Sequence, residues 1–358
     1  MTMTKVKQLN PKPFYWALLG MSVITALILI RFWSWWKWAL SPVATGSTTE
    51  NVKFQVKPGT YGQQIGQELE KAGLIRSASA WNYWSKLEGM GGKNIDFQAG
   101  TYEISPSQPM DAIAQKILSG DVVKVDFTIR EGWSIKDMAE YLEKQGFFPA
   151  ADFIAASQKI PYDKYPWLPQ GIPHLEGYLF PDTYKIAGDQ ITPEGIIDVM
   201  LDHFQKVALP LYEKGKDQVK NVKNLQEWVT LASIVEKEAV IGSERKTISG
   251  VYHNRLEKGM QLGADPTVEY GLGVKQTKEK PLTFAQVAIP NPYNTYINFG
   301  LPPTAIASPG LASLEATLYP EQTDYLYFMA RYDGTHIFSR TAAEHEAAIS
   351  QVEKMLGE

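Results

Sequence analysis

The clearest pattern along the chain is an uncharged segment near its start. No charged residue occurs among the 17 residues from Phe14 to Ile30, and a helix of about 17–25 apolar residues is long enough to cross a bilayer. Half of the chain's ten tryptophans lie within the first 40 residues, and tryptophan concentrates at the headgroup level of membranes. We therefore expect residues 14–40 to form an uncleaved membrane anchor. The alternative is a cleaved signal peptide, whose apolar core is shorter, at about 7–15 residues.

Two later segments, residues 53–73 and 126–146, repeat one pattern at an offset of 73 residues. Each begins with apolar residues at alternate positions, which indicates a strand, followed by a glycine turn. Each continues as an amphipathic helix that ends at a second glycine. Between the copies the pattern predicts a helix over 79–87, a strand near 102–104 and a helix over 110–118. We expect a small α+β region here, with aromatic residues that either belong to its core or stack on sugar rings.

A long amphipathic helix is predicted over residues 225–241. Asn224 has the chemistry of a helix N-cap, and Glu227 three residues later completes the pattern of a capping box. At 100° per residue, Glu236 falls on the apolar face of this helix and Glu238 on its edge. Two carboxylates two residues apart point to different sides, so they cannot serve as an acid–base pair.

Either glutamate of this helix is a candidate general acid. A carboxyl group held against an apolar surface is desolvated, which raises its pKa toward the range that suits proton donation at neutral pH. The alternative is an ordinary solvated glutamate near a helix end. These residues alone leave both interpretations open for Glu236 and for Glu238.

Polar loops rich in Gly and Pro follow this helix. Short polar side chains form the hydrogen bonds that sugar hydroxyl and acetamido groups require, although each one can equally be a satisfied turn residue. The candidates for substrate contact are Asn254, Asp265, Thr267, Tyr293, Asn294, Thr295 and Tyr296.

Composition excludes several classes of protein. The 358 residues predict two or three domains, and the absence of cysteine excludes disulfide scaffolds, thiolate zinc sites and cysteine nucleophiles. The five histidines show no metal-ligand spacing, so we expect no metal and no cofactor. Net charge is −4, which disfavours nucleic acid as a partner. Residues 1–49 carry five basic and no acidic residues, three of them before the apolar segment, and this favours a cytoplasmic N-terminus.

Several short motifs, in order along the chain, also carry a family resemblance. They are EGYLFPDTY (176–184), SIVEKE (233–238), SER (243–245), NRL (254–256), DPTV (265–268), YNTY (293–296) and GLPP (300–303). Over roughly residues 14–355 the chain resembles the YceG/MltG-like endolytic murein transglycosylases.

The resemblance implies an α+β protein with a single N-terminal transmembrane helix, a small LysM-like α+β domain and a mixed α/β catalytic domain. The expected boundaries are a cytoplasmic tail over 1–13, the anchor over 14–40, a linker over 41–50, the LysM-like domain over 51–149 and the catalytic domain over 150–358. It further implies a single-pass protein of the inner (plasma) membrane, with its catalytic domain on the periplasmic or extracytoplasmic side.

Such enzymes cut the β-1,4 bond between N-acetylmuramic acid and N-acetylglucosamine in peptidoglycan strands, without water, and leave 1,6-anhydro ends. The resemblance assigns the catalytic acid to Glu238, the second glutamate of VEKE, while Glu236 packs or orients the site. It also implies trimming of nascent strands, with cell-wall synthesis enzymes as partners. Two alternatives stay open: a hydrolytic muramidase in which Asp265 or Glu244 positions water, and a non-catalytic scaffold that binds peptidoglycan.

Overall fold

The computed structural model describes residues 12–44, 50–90, 95–277, 280–331 and 333–356. Residues 1–11 of the predicted cytoplasmic tail therefore lie outside the described residues. Helix α1 (Lys12–Leu40) covers the predicted anchor. Within the described residues it is the one helix that is long and apolar enough to cross a membrane, and its apolar part lies exposed. A signal sequence near the N-terminus has the same length and composition.

The chain divides into two compact units. The first runs to Val125 and includes Ala187–Asp189, and the second contains the remainder. After α1 the first unit contains β1 (Val52–Val56), α2 (Gly62–Lys71), α3 (Ala78–Gly89), β2 (Gly100–Ile104) and α4 (Met110–Leu118). The predicted helices and strands of this region are thus confirmed, with shifts of one or two residues at their ends.

The core of the first unit forms between its two-stranded sheet and its helices. Strands β1 and β2 pair antiparallel, with Phe54 opposite Tyr102. Alternate residues of both strands point inward, as the period of two requires. Trp81 of α3 fills the centre and donates a 2.8 Å hydrogen bond from its indole nitrogen to the carbonyl of Gly62.

The second unit is mostly helical. Its elements are β3 (Lys124–Thr128), which begins where the first unit ends, α5 (Ile135–Lys144), α6 (Ala150–Ser157), β4 (Thr183–Ala187), α7 (Pro193–Gly215), α8 (Leu225–Glu238), α9 (Arg245–Glu257), α10 (Asp265–Leu272), α11 (Phe284–Val287), α12 (Leu311–Leu318), β5 (Tyr327–Ala330), β6 (His336–Ser339) and α13 (Ala342–Leu356). Strands β3 and β4 form one two-stranded sheet, and β5 and β6 form an antiparallel one. The mixed helix and strand content confirms the predicted α+β class.

Helix α8 is the central element of the second unit. Every residue from Trp228 to Val235 is buried, and the helix packs against α9 and α12. Trp228 donates a 3.0 Å hydrogen bond to the carbonyl of Leu314 in α12. The second copy of the repeat contributes Phe127 and Met138, among others, to the same core. A helix buried on nearly all sides provides a rigid base for the side chains at its ends.

The start of α8 was predicted correctly and its end was not. Asn224 accepts a 2.9 Å hydrogen bond from the backbone N–H of Glu227, which confirms the N-cap. The Glu227 carboxylate, however, accepts from the N–H of Lys223 at 2.7 Å instead of from that of Asn224, so the predicted capping box does not form. The helix stops at Glu238 instead of continuing to residue 241, because Ala239 adopts an extended backbone with ψ 96°. Glu238 is consequently the last helical residue, and no further turn of α8 covers its side chain.

Candidate active site

Glu238 lies half-buried at the C-terminal end of α8. Tyr252 of α9 donates a 2.9 Å hydrogen bond from its hydroxyl to Oε1 of Glu238. Burial, and next to it the negative charge of Asp265, raise the pKa of Glu238 to about 7, while the Tyr252 hydrogen bond and the charge of Arg255 oppose the rise. A carboxyl group with this pKa is present in both protonation states near neutral pH, as a group that first donates and then accepts a proton requires.

Asp265 is the second carboxylate of this site and the first residue of α10. Tyr296 donates a 2.6 Å hydrogen bond to its Oδ1, and the amide of Gln276 donates a 3.3 Å one to Oδ2. Burial and the Asp265 charge raise the pKa of the Tyr296 hydroxyl far above its ordinary value, so this hydroxyl stays a donor. The structure thus brings Asp265 and Tyr296, both predicted from sequence, together with Glu238.

Arg255 provides the positive charge near Glu238. Its Nε donates to the carbonyl of Leu326 and its Nη1 to that of Leu262, both at 2.6 Å. Because two carbonyls hold it from different loops, the guanidinium group has a fixed position. Glu269, one turn after Asp265 on α10, adds a further negative charge that raises the pKa of Glu238.

Glu236 lies elsewhere, as the helical wheel predicts. Its side chain is 8% exposed, with Nη2 of Arg245 at 4.0 Å. It accepts hydrogen bonds from the backbone N–H of Gly310, at 3.1 Å, and from the hydroxyl of Ser313, at 2.6 Å. Gly310 is the N-cap residue of α12 and Ser313 lies in its first turn, where unpaired N–H groups and the helix dipole favour an anion. Glu236 therefore joins α8 to α12.

Three of the predicted contact residues are buried, Thr267 within α10 and Asn294 and Thr295 in the loop that follows α11. The hydroxyls of Thr267 and Thr295 lie 2.9 Å apart, and Thr295 also accepts a 2.9 Å hydrogen bond from the N–H of Ala264. Asn294 donates to the carbonyls of Val287 and Ile289. These side chains fix the backbone on either side of Asp265 and Tyr296, and they face protein rather than solvent.

Two further predicted residues also make internal contacts. The amide of Asn254 donates to the carbonyls of Thr323 and Tyr325, at 2.6 and 2.9 Å. Tyr293 shares a 2.9 Å hydrogen bond with Thr304. Glu244, one of the two residues considered for positioning water, accepts a 2.8 Å hydrogen bond from His336.

A cleft of about 630 Å³ adjoins the site. Its lining includes Lys237, next to Glu238 in the sequence, and Glu269 of α10. Glu176 also lines it, although its side chain is only 2% exposed. Glu176 accepts a 3.0 Å hydrogen bond from the N–H of Ile135 and a 3.1 Å one from Tyr270. Burial raises the pKa of Glu176 to about 8 against the effect of these hydrogen bonds.

Sequence reasoning missed Tyr252, Arg255 and Glu269 as members of the site. Tyr252 and Arg255 are three residues apart on α9, the spacing that places two side chains on one helix face. That spacing, together with Asn254 between them, was the available signal. Within the described residues, no group of three or more His, Asp or Glu side chains is arranged to hold a metal ion.

Comparison with known proteins places the chain in a family. The sequence model of the YceG-like family matches residues 54–351. An endolytic murein transglycosylase of Bacillus subtilis is 36% identical over 326 residues, which is 86% of this chain and 86% of that protein. One of Streptococcus pneumoniae is 30% identical over 341 residues, 87% of this chain and 60% of that protein. A crystal structure of a YceG-like protein from Listeria monocytogenes matches with a TM-score of 0.53 at 32% identity, and covers 84% of this chain and 99% of that one.

Proposed function

The chain belongs to the YceG-like family, and from that premise we propose that it is an endolytic murein transglycosylase acting through Glu238. The bond cut is the β-1,4 bond between N-acetylmuramic acid and N-acetylglucosamine within peptidoglycan strands. The observation that carries the proposal is the half-buried carboxyl group of Glu238. Its pKa is raised to about 7 by burial and by the charge of Asp265. The relatives, as endolytic murein transglycosylases, supply the substrate class.

The reaction needs one acid that later acts as a base. Protonated Glu238 donates its proton to the glycosidic oxygen as the bond to C1 breaks, which releases the N-acetylglucosamine end. The resulting carboxylate accepts the proton of the muramoyl C6 hydroxyl, whose oxygen then bonds to C1. The product is a 1,6-anhydro end, no water is consumed, and Glu238 returns to its protonated form.

The neighbours of Glu238 have distinct roles in this proposal. The Asp265 carboxylate, held by Tyr296 and Gln276, stabilises the positive charge that develops at C1. Tyr252 orients the Glu238 carboxyl group. Asp265 and Tyr296 contact the glycan, whereas Thr267, Asn294, Thr295, Asn254, Tyr293 and Glu236 maintain the walls of the site.

A hydrolytic muramidase is the second candidate, because Asp265 is a carboxylate near Glu238 and inverting and retaining hydrolases both use a carboxyl pair. Water activated by Asp265 would replace the C6 hydroxyl as nucleophile. The product would then have a reducing muramoyl end, heavier than the anhydro end by one water.

The cellular setting belongs to the proposal as well. Helix α1 anchors the protein in the inner (plasma) membrane with its N-terminus in the cytoplasm. The catalytic domain then lies on the periplasmic or extracytoplasmic side, where peptidoglycan is found. The region over residues 51–149 is the LysM-like domain of this proposal, and nascent strands with their synthesis enzymes are the expected surroundings.

Mass spectrometry of the products released from purified sacculi by the full-length chain in detergent tests the chemistry. We expect anhydro-muramoyl ends from the wild type and a loss of at least about 10³-fold in Glu238→Gln, the upper range for removing a general acid. Glu236→Gln is the matched control, since an amide oxygen still accepts from Gly310 and Ser313. Reducing ends would establish the hydrolase. Activity in Glu238→Gln together with inactivity in Glu236→Gln would refute the assignment, and inactivity of the wild type would favour the scaffold.

A further inference from the structure

Helix α1 is built into the fold of the first unit. Ala39 near its end is fully buried in the core of that unit, and Trp35 and Trp36 pack against the same core. Beyond the helix, Arg76 donates hydrogen bonds to the carbonyls of Pro42 and Val43, at 2.9 and 3.3 Å. The first residues of the predicted linker are therefore fixed. A bilayer crossed by α1 would have the surface of this unit held close to it.

One face of α3 is apolar and exposed. Tyr83, Leu87 and Met90 follow the spacing i, i+4, i+7, which places them on one side of the helix, and Met90 is its C-cap residue. Their exposed fractions are 54%, 57% and 81%. Trp81 and Trp84 supply the buried side of the same helix. We refer to Tyr83, Leu87 and Met90 as the α3 apolar face. Neighbouring apolar residues left in contact with solvent mark a surface that another phase or molecule covers.

The α3 apolar face is continuous with the aromatic end of α1. The ring of Tyr83 lies edge-on to the ring of Phe32, with centroids 6.4 Å apart, and to that of Trp35, at 6.5 Å. Phe32, Trp33 and Trp38 are themselves exposed. Aromatic side chains of a membrane-spanning helix gather at the bilayer interface, so the level of Phe32 and Trp35 is also the level of Tyr83.

Charged residues at this level complement lipid headgroups. The ammonium group of Lys37 lies 5.3 Å from the ring centre of Trp33, and the guanidinium group of Arg76 lies 5.5 Å from that of Trp38. On α3, Lys86 and Glu88 both stand exposed beside Leu87, so the basic groups that favour headgroups are those of α1 and Arg76. Basic side chains attract the phosphate groups of lipids, while their aliphatic parts and adjacent aromatic rings occupy the layer beneath.

We propose that the α3 apolar face lies in the interfacial layer of the bilayer that α1 crosses, in contact with phospholipid headgroups and the first carbons of their acyl chains. This inference rests on the membrane anchoring in the proposed function and adds a second attachment. With α1 and α3 both held, the first unit has a fixed orientation on the membrane instead of rotating about a single tether.

The test uses single-cysteine variants of the full-length chain, which contains no other cysteine. Cysteine replaces Leu87 or Met90 in the test variants, Ile24 in the anchor control and Glu70, exposed on α2, in the solvent control. Each variant carries an environment-sensitive fluorophore in vesicles of phosphatidylethanolamine and phosphatidylglycerol. Quenching is measured with a spin label near the headgroup end of a lipid chain and with iodide in the water.

We expect the lipid-borne quencher to reduce the fluorescence at Leu87 and Met90 by about twofold or more relative to Glu70, as for side chains at the interface. Iodide should quench the label at Glu70 more strongly than the labels at Leu87 and Met90. Lipid quenching at Ile24 but not at Leu87 or Met90 would overturn the inference and leave the anchor intact. A label at Ile24 that only iodide reaches would overturn the anchoring and this inference together. Neither result bears on catalysis by Glu238, which the sacculus assay reports separately.

Discussion

Tyr252 donates its hydroxyl hydrogen to Oε1 of Glu238 over 2.9 Å and thereby joins the end of α8 to the middle of α9. This hydrogen bond stabilises the ionised carboxylate, whereas burial and the Asp265 charge stabilise the protonated acid. The pKa of Glu238 is the balance of these opposed effects, and each side of the balance can be changed by one substitution.

Tyr252→Phe removes the hydrogen bond and keeps the aromatic ring, whose edge-on contact with Phe328 has centroids 5.8 Å apart. Because the hydrogen bond lowers the pKa of Glu238, its loss raises that pKa. We expect the alkaline limb of the pH–activity profile to move upward by about 0.5–1 pH unit. Product release from sacculi at a series of pH values measures this limb, and an unmoved or lowered limb would contradict the role given to Tyr252.

Asp265→Asn acts on the other side of the balance. The amide still accepts the hydrogen bond from Tyr296 but carries no charge, so the pKa of Glu238 falls. We expect the alkaline limb to move downward by about one pH unit, opposite in direction to Tyr252→Phe. If Asp265 also stabilises charge at C1, the maximal rate drops by about 10²-fold. The same pH series measures both effects, and a limb that stays in place or moves upward would contradict the charge effect assigned to Asp265.

The buried carboxyl group of Glu176 should make stability depend on pH. Its pKa rises from an ordinary 4.5 to about 8 in the fold, so between these values the folded state binds more protons than the unfolded state. Stability from this group is fully present below pH 4.5 and is lost as pH rises through 8. The glutamine of Glu176→Gln carries no charge. From pH 5 to pH 9 the unfolding free energy of the wild type falls, and we expect that of Glu176→Gln to fall by about 1–3 kcal/mol less.

Thermal unfolding at pH 5, 7 and 9 measures this difference. The matched control is Glu140→Gln, because Glu140 lines the same cleft but is exposed. Its unfolding temperature should follow the wild type at every pH. Equal pH dependence in the wild type and Glu176→Gln would mean that Glu176 is solvated in the folded protein.

The periodicity of α8 predicts which face of the helix each of the two glutamates occupies. It does not predict where the helix ends, and the position of that end is what distinguishes Glu238 from Glu236. Glu236 is buried against α12, as the wheel indicates, whereas Glu238 owes its position to the end of the helix. Residues 239–241 read Ala-Val-Ile, with no glycine or proline to mark that end. Packing in the folded unit sets it, and local sequence carries no record of such packing.

Residue type explains why the substrate contacts were only partly predictable. Thr267, Asn294 and Thr295 have the polar groups that bind sugars, yet loops near a core also need such groups to satisfy their own backbone. Which partner a hydroxyl meets depends on loops distant in the chain. Asp265 and Tyr296 face the site because they pair with each other beside Glu238. Asp265 belongs to one motif and Tyr296 to another, so neither motif alone predicts this contact.

The repeat shows a similar limit. Both copies form the predicted strand, turn and helix, because period and glycine position are local properties. Their cores differ, however: Phe54 packs in the first unit and Phe127 in the second. The division of the chain by contacts falls at Val125, whereas the boundary expected from the family resemblance lies at residue 149. Similar local sequence does not determine which core an element joins.

Gly177, within the motif that begins at Glu176, is required by close packing as well as by backbone geometry. Its φ is +88°, and a Cβ there would lie 2.5 Å from Cβ of Ala305 and 2.6 Å from Cγ1 of Val229 on α8. We expect Gly177→Ala to destabilise the fold by about 3 kcal/mol or more, since overpacking adds to the cost of a positive φ. The matched control is Gly171→Ala, at φ +78° with no atom within 4 Å of the added Cβ, which should cost about 1 kcal/mol. Chemical denaturation of both variants separates the two contributions. Equal losses would mean that α8 yields to the added methyl group, and a site built on the end of α8 would then lack the rigid support that its geometry implies.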